Sequence, residues 1–154
     1  MILRWTEIVI HHSKGPDNIQ RMSADEIRKF HTDPPPAGRG WADIGYHRVV
    51  ELIEGFYVAI IGRPETKDGA HAPGHNITAL GVCLVGDFDL APPAPAMLKF
   101  AARYVIAPWV EIYRMDFPGC VLLHKEATAG RGCPGALFDK KALIEVVAAE
   151  LGFR

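Results

Sequence analysis

The apolar positions of this chain fall into short blocks with two different periods. Glu7-Ile8-Val9-Ile10-His11 is rich in Ile and Val and predicts a buried strand. Tyr46–Ile53 and Phe56–Ile61 are two β-rich runs around Glu54-Gly55, the pattern of a hairpin. Ala79–Val85 and Val121–Leu123 read as further strands. Helical spacing appears in between. Ser23-Ala24-Asp25-Glu26 has the S-x-x-E spacing of a capping box and predicts a helix over residues 24–31, with Ile27 and Phe30 facing inward. Met97, Phe100, Ala101, Tyr104 and Val105 recur at intervals of three and four, so a helix is expected from residue 94. Pro108 should kink or end it, with Trp109–Met115 continuing beyond. Asp139 is placed to cap a last helix that ends near Leu151, with Gly152 in the C′ position.

The segments between these blocks are rich in Pro and Gly. Gly15 and Pro16 follow the first strand, and Asp33–Gly40 cannot be helical. Residues 62–76 hold Gly62, Pro64, Gly69, Pro73 and Gly74 and predict a long loop, a common site of function in compact domains. Residues 125–137 read as a Gly-rich loop. There is no repeat or linker. Strands and helices are mixed along 154 residues, which predicts one α/β or α+β domain over residues 1–154 around a central sheet.

Composition narrows the function classes. With 49% apolar and 23% charged residues the chain is an ordinary globular protein, and a net charge of −1 gives no basis for charge-driven binding to nucleic acid or anionic lipid. No apolar run approaches the ~20 residues of a membrane helix. Met1–Glu7 shows no leader, so synthesis and folding in the cytoplasm are expected. The three cysteines form no C-x-x-C pair and do not suggest a disulfide framework. Cys83 and Cys120 read as small buried hydrophobes.

The candidate chemistry sits at strand ends. His11-His12 closes the first strand and His124 closes the last, with Cys133-Pro134 nine residues later. Two imidazoles and a thiolate at strand-to-loop junctions can form a three-ligand zinc site with one position open, the layout of a hydrolytic centre. Neighbouring strand residues point to opposite faces, so His11 and His12 cannot both face one metal.

Several segments resemble the zinc-dependent N-acetylmuramoyl-L-alanine amidases of phage endolysins and peptidoglycan recognition proteins. They are Val9-Ile10-His11-His12-Ser13, Trp41-Ala42-Asp43-Ile44-Gly45-Tyr46-His47, Gly69-Ala70-His71-Ala72-Pro73-Gly74-His75-Asn76, Leu80-Gly81-Val82-Cys83-Leu84-Val85-Gly86 and Cys133-Pro134-Gly135. They follow the family's order from residue 9 to 135, and the phage branch is nearer because it too has a histidine after Gly-Tyr. The resemblance implies a mixed central sheet flanked by helices, with a zinc cleft at one edge. It implies hydrolysis of the amide between the lactyl group of N-acetylmuramic acid and L-alanine. His11, His124 and Cys133 match the family's zinc ligands, which leaves His12 for packing or for supporting a ligand from behind. Tyr46 matches the catalytic tyrosine of the phage enzymes. Arg131 stands where those enzymes place a lysine, two positions before the cysteine; arginine keeps the charge but cannot act as a general acid. His47, His71, His75 and Asn76 are expected to contact substrate, and His31 lies outside every motif and reads as a surface residue. The interval from His124 to Cys133 is nine positions where the family usually has eight, with the extra residue within Ala127–Gly130.

Two other readings fit the same expected fold. One is a non-catalytic peptidoglycan-binding module, which usually lacks one of the ligands. The other is an amidase that recycles muropeptides inside the cell. For the lytic enzyme, the expected partner is peptidoglycan or a muropeptide, the expected state a monomer, and the expected route to the wall a holin pore or cell lysis.

Overall fold

The computed structural model describes residues 5–15 and 23–153. Pro16 and the Met1–Arg4 segment considered above lie outside them. Five strands, β1 (Glu7–His12), β2 (Arg48–Ile53), β3 (Phe56–Ile61), β4 (Ala79–Leu84) and β5 (Val121–Leu123), form one sheet in the order β3-β2-β4-β1-β5. β1 runs parallel to both β4 and β5, β2 runs parallel to β4, and β3 is antiparallel at one edge. The sheet is therefore mixed, as expected. Glu54 and Gly55 both have positive φ, 49° and 82°. That is the two-residue turn whose twist matches a right-twisted hairpin.

The period of two along β1 divides the core. Ile8 and Ile10 point to the face that also receives Val50, Leu80, Val82 and Leu84. A long helical segment packs there, α2 (Pro95–Ala101) running through Ala102–Ile106 into α3 (Ala107–Tyr113), together with α5 (Lys140–Glu150). Pro108 does not end this segment. The turn before it is widened, and the Ala107 N–H bonds to the Ala102 carbonyl five residues back. A π-type turn absorbs the missing donor and the ring clash that proline brings. Val9 and His11 point to the opposite face, with Val49 and Cys83. That face is covered by α1 (Ser23–Thr32) and by the long loop between β3 and β4.

Glu65 ties that loop to the helical face. Its carboxylate accepts from the Trp109 indole at 3.0 Å, from the Tyr113 hydroxyl and from Arg48, and its carbonyl accepts from the Trp5 indole at 2.9 Å. Burial pushes the Glu65 carboxyl up, but the Tyr113 and Trp109 hydrogen bonds and the Arg48 charge outweigh it and hold it below the usual range.

Three local expectations are corrected. α1 spans Ser23–Thr32, close to the expected range, but its first N–H is answered by a distant residue: the Ser23 N–H donates to Glu51 Oε2 at 2.5 Å. A carboxylate at a helix N-terminus answers both its free N–H groups and its dipole. The inward stripe of α1 is Ala24, Ile27 and His31, while Phe30 is 51% exposed. At 3.6 residues per turn, Phe30 lies roughly 90° off that stripe. The Gly-rich segment after β5 opens with a helical turn, α4 (His124–Ala127), capped by Glu126 Oε2 accepting from the Leu123 N–H at 2.7 Å. The last helix is as expected. Asp139 Oδ1 accepts from the Ala142 N–H, and Gly152 (φ 81°) ends it, with Gly152 and Phe153 N–H groups bonded to the Ala149 and Ala148 carbonyls.

Candidate metal centre

The strand register puts two histidines together. Ile10 pairs with Leu123 across β1 and β5, so the next residues, His11 and His124, are neighbours at the carboxyl end of adjacent strands. Their ring centroids are 4.4 Å apart. Cys133 returns to the same point through two backbone bonds. The Lys125 N–H donates to the Cys133 carbonyl at 2.8 Å, and the His12 N–H donates to Cys133 Sγ at 3.3 Å. Gly135 lets this loop close. It has φ 110°, and a Cβ there would lie 2.5 Å from the Phe88 backbone.

One donor atom each from His11, His124 and Cys133 lie within 4.8 Å of one another. Cys133 Sγ is 3.9 Å from His11 Nδ1. Donor separations of about 3.3–3.7 Å are what a tetrahedral zinc shell requires. His124 Nε2 is buried and has no hydrogen-bond partner among the described residues. A buried nitrogen without a partner is costly in a folded protein, and a metal would satisfy it. Two nitrogens and one sulfur also match the donor preference of zinc, so the residues fit that ion. Burial, then His71 and His124, hold the His11 imidazole well below its ordinary pKa; burial, then Arg131, hold His124 at about 4. Burial, then Asp89, push the Cys133 thiol up to about 11.

The centre borders a cavity of about 200 Å³ lined by His31, Arg39, Trp41, Tyr46, His71, Asn76, His124 and Arg131. A second cavity of about 480 Å³ shares His31, Arg39 and Tyr46 and extends along α1. The Tyr46 ring lies 5.0 Å from that of His11. Burial, then the Cys83 and Cys133 thiols, hold its hydroxyl well above the usual range, so it remains a donor. Arg131 is exposed at the rim.

The other histidines sort differently from expectation. His47 is fully buried, with Nε2 bonded to the Lys67 carbonyl and Nδ1 accepting from the Gly81 N–H, both at 3.0 Å. It has no free nitrogen for a substrate. His75 does not line the cavity; its Nδ1 meets Glu7 Oε2 at 2.8 Å, at the opposite end of β1. His71 touches the cavity, but it is 8% exposed and its nitrogens contact His11 and the Ala79 carbonyl. Asn76 also lines the cavity, with Oδ1 accepting from the His71 and Ala72 N–H groups. His31 is 6% exposed and accepts from the Gly45 N–H at 3.0 Å, so the surface assignment is corrected. His12 points to the helical face and accepts from the Phe88 N–H. Cys83 and Cys120 are buried and free. Sequence reasoning missed His31, Arg39 and Trp41 as cavity residues. The Trp41 signal was inside a matched motif; Arg39 gives none, and enters by stacking on Trp41 and Phe30 at 4.9 and 5.5 Å.

A mixed five-stranded sheet with a His-His-Cys group that could hold a metal ion where parallel strands end is the arrangement this chain presents. Residues 3–136 match the family model described as N-acetylmuramoyl-L-alanine amidase, and the chain belongs to that family. The endolysin of Enterobacteria phage T3 is 31% identical over 136 residues, spanning 88% of this chain and 83% of the phage protein. Peptidoglycan-recognition protein LB of Drosophila melanogaster is 33% identical over 135 residues, spanning 83% of this chain and 53% of that protein. The solved structure of N-acetylmuramoyl-L-alanine amidase LysC from Clostridium intestinale URNW aligns with a TM-score of 0.68 at 27% identity, covering 98% of this chain and 87% of that one. The chain is an amidase that acts on peptidoglycan.

Proposed function

We propose that residues 1–154 act as one zinc-dependent amidase domain of the endolysin kind, with His11, His124 and Cys133 as the ligands. The observation that carries this is the convergence of one donor atom each from His11, His124 and Cys133 beside a cavity that also holds Tyr46 and Arg131. Bound there, zinc supplies Lewis acidity toward the lactyl carbonyl and lowers the pKa of water toward about 7. One water is consumed: the lactyl carbonyl becomes a carboxylate, and L-alanine leaves with a free amine. Tyr46 donates a hydrogen bond to the oxygen that becomes negative as the carbonyl is attacked. Arg131 adds fixed positive charge at the rim but gives no proton. Such donors act most strongly where water is partly excluded. Asn76 holds the loop that lines the cavity.

The full ligand set favours an enzyme over a binding module on the same fold. Among the described residues no helix is long and apolar enough to cross a membrane. Synthesis in the cytoplasm, action as a monomer and release to the wall through a holin or lysis complete the proposal. The test is digestion of purified sacculi with metal content measured in parallel. New L-alanine amino termini from a protein holding one zinc are expected, with both lost in Cys133→Ser. Zinc-free protein of full activity would overturn the zinc assignment. Zinc-bearing protein that releases only a different bond would overturn the substrate assignment. A Cys133→Ser variant that keeps zinc and full activity would remove that residue from the site.

A further inference from the structure

His71 is the residue that the catalytic reading leaves unexplained. It sits at the centre of a line of three groups. On one side its Nε2 is 3.2 Å from the Ala79 carbonyl; on the other its Nδ1 is 2.9 Å from His11 Nε2. A carbonyl only accepts, so the Ala79 contact requires a proton on His71 Nε2. In a neutral imidazole the other nitrogen is then bare, so His71 Nδ1 accepts. The donor must be His11 Nε2–H. His11 Nδ1 is left with its lone pair, and that atom is the one 3.9 Å from Cys133 Sγ.

The slot around His71 is built to hold the ring. A Cβ at Gly69 would fall 2.4 Å from His71 Cδ2, and one at Gly81 would fall 2.6 Å from the same atom. Both distances are below any real contact, so two glycines vacate the space the imidazole fills. Asn76 Oδ1 fixes the backbone of the same residue at 2.8 Å. The two rings meet nearly at right angles, 87°, edge to face rather than stacked.

We infer that His71 is a positioning residue, which passes the direction of the Ala79 carbonyl through its own ring and so fixes the tautomer and orientation of His11. This rests on His11 being a zinc ligand, as proposed above. Metal-bound histidines commonly donate their second N–H to a carboxylate or a carbonyl; here a second imidazole takes that place. The expected contribution is 10–100-fold in metal affinity.

The experiment has two arms. Long-range ¹H–¹⁵N spectra of the metal-free wild type report the protonated nitrogen of each imidazole, with no zinc required. Protons on Nε2 of both His11 and His71 are expected; a proton on His11 Nδ1 would overturn the inference. In the second arm zinc affinity is measured by competition with a chelator. His71→Ala should weaken zinc 10–100-fold and leave His11 without a single tautomer. His71→Gln, whose amide can accept from His11 and donate to Ala79, should recover most of the affinity. Unchanged affinity and tautomer in His71→Ala would overturn the inference. If that variant does not fold, the wild-type spectrum and His71→Gln decide. Zinc stoichiometry in His11→Ala tests the ligand assignment separately, so the two ideas fail by different readouts.

Discussion

Zinc binding should release close to one proton per ion, even in acid where ordinary histidines would release more. The perturbation is the addition of zinc to the metal-free protein at pH 5.5. His124 sits at about 4 and His11 well below its ordinary value, so both imidazoles are mostly neutral at that pH. The Cys133 thiol, at about 11, is fully protonated and must ionise to bind. Only the thiol proton is displaced. Unperturbed imidazoles with pKa ≈ 6.5 would each hold about 0.9 proton at pH 5.5, bringing the total to nearly three. The same reasoning sets the pH dependence: apparent affinity should rise tenfold per pH unit from 5.5 to 6.5. At pH 7 the thiol lies about four units below its own pKa, so its ionisation costs about 5 kcal/mol of the gross zinc free energy. Calorimetry in buffers of different ionisation enthalpy counts the protons directly. A count near three would refute the account of buried, neutral imidazoles. A count of zero would refute thiolate ligation by Cys133.

Tyr46→Phe should keep one zinc and lower turnover 10²–10³-fold, the usual cost of one oxyanion donor, and unchanged muropeptide release would refute its role. Gly135→Ala must place a Cβ 2.5 Å from the Phe88 backbone at φ 110°, so it should lower stability by about 1–3 kcal/mol and weaken zinc, as read by thermal melting with and without metal. Burial, then Arg39 and Arg63, hold His31 at about 4 against an unfolded value near 6.5. Its contribution to stability is therefore complete above pH 6.5 and is lost as pH falls toward 4. Melting temperatures across that window should drop less in His31→Gln than in the wild type, and an equal drop would place the acid sensitivity elsewhere.

The two histidines of the cluster were legible because each follows an apolar run that stops, and the period of two shows that His11 and His12 face opposite ways. The hairpin was legible because Glu54-Gly55 supplies a two-residue turn between β-rich runs. Other features depend on residues far away in the chain. The cap of α1 comes from Glu51, 28 residues on, while the local Ser23-x-x-Glu26 pattern suggested a self-contained box. His47, His71 and His75 share motifs with cavity residues, yet the Gly81 N–H, the Gly69 and Gly81 slot, and Glu7 decide where each ring goes. No periodicity reports a partner of that kind. Pro108 announced a break, and the widened turn before it shows that packing on the sheet held the helix together.

The two kinds of anchor at the centre explain how its loop can vary without loss of the site. His11 and His124 are fixed by the register of β1 and β5, which the buried Ile8, Val9 and Ile10 hold in place. A one-residue slip there would turn every side chain to the other face and separate the pair. Cys133 is held by bonds at its own position, from the Lys125 and His12 N–H groups, and none of these involves residues 128–130. A residue inserted within Ala127–Gly130 would therefore enter between the fixed points. Gly130, with φ 77°, gives that stretch a turn where added length costs little. Lengthening β5 by one residue should instead displace His124 itself, and an insertion before Lys125 would move the anchor of Cys133, so tolerance to insertion ought to begin only after α4.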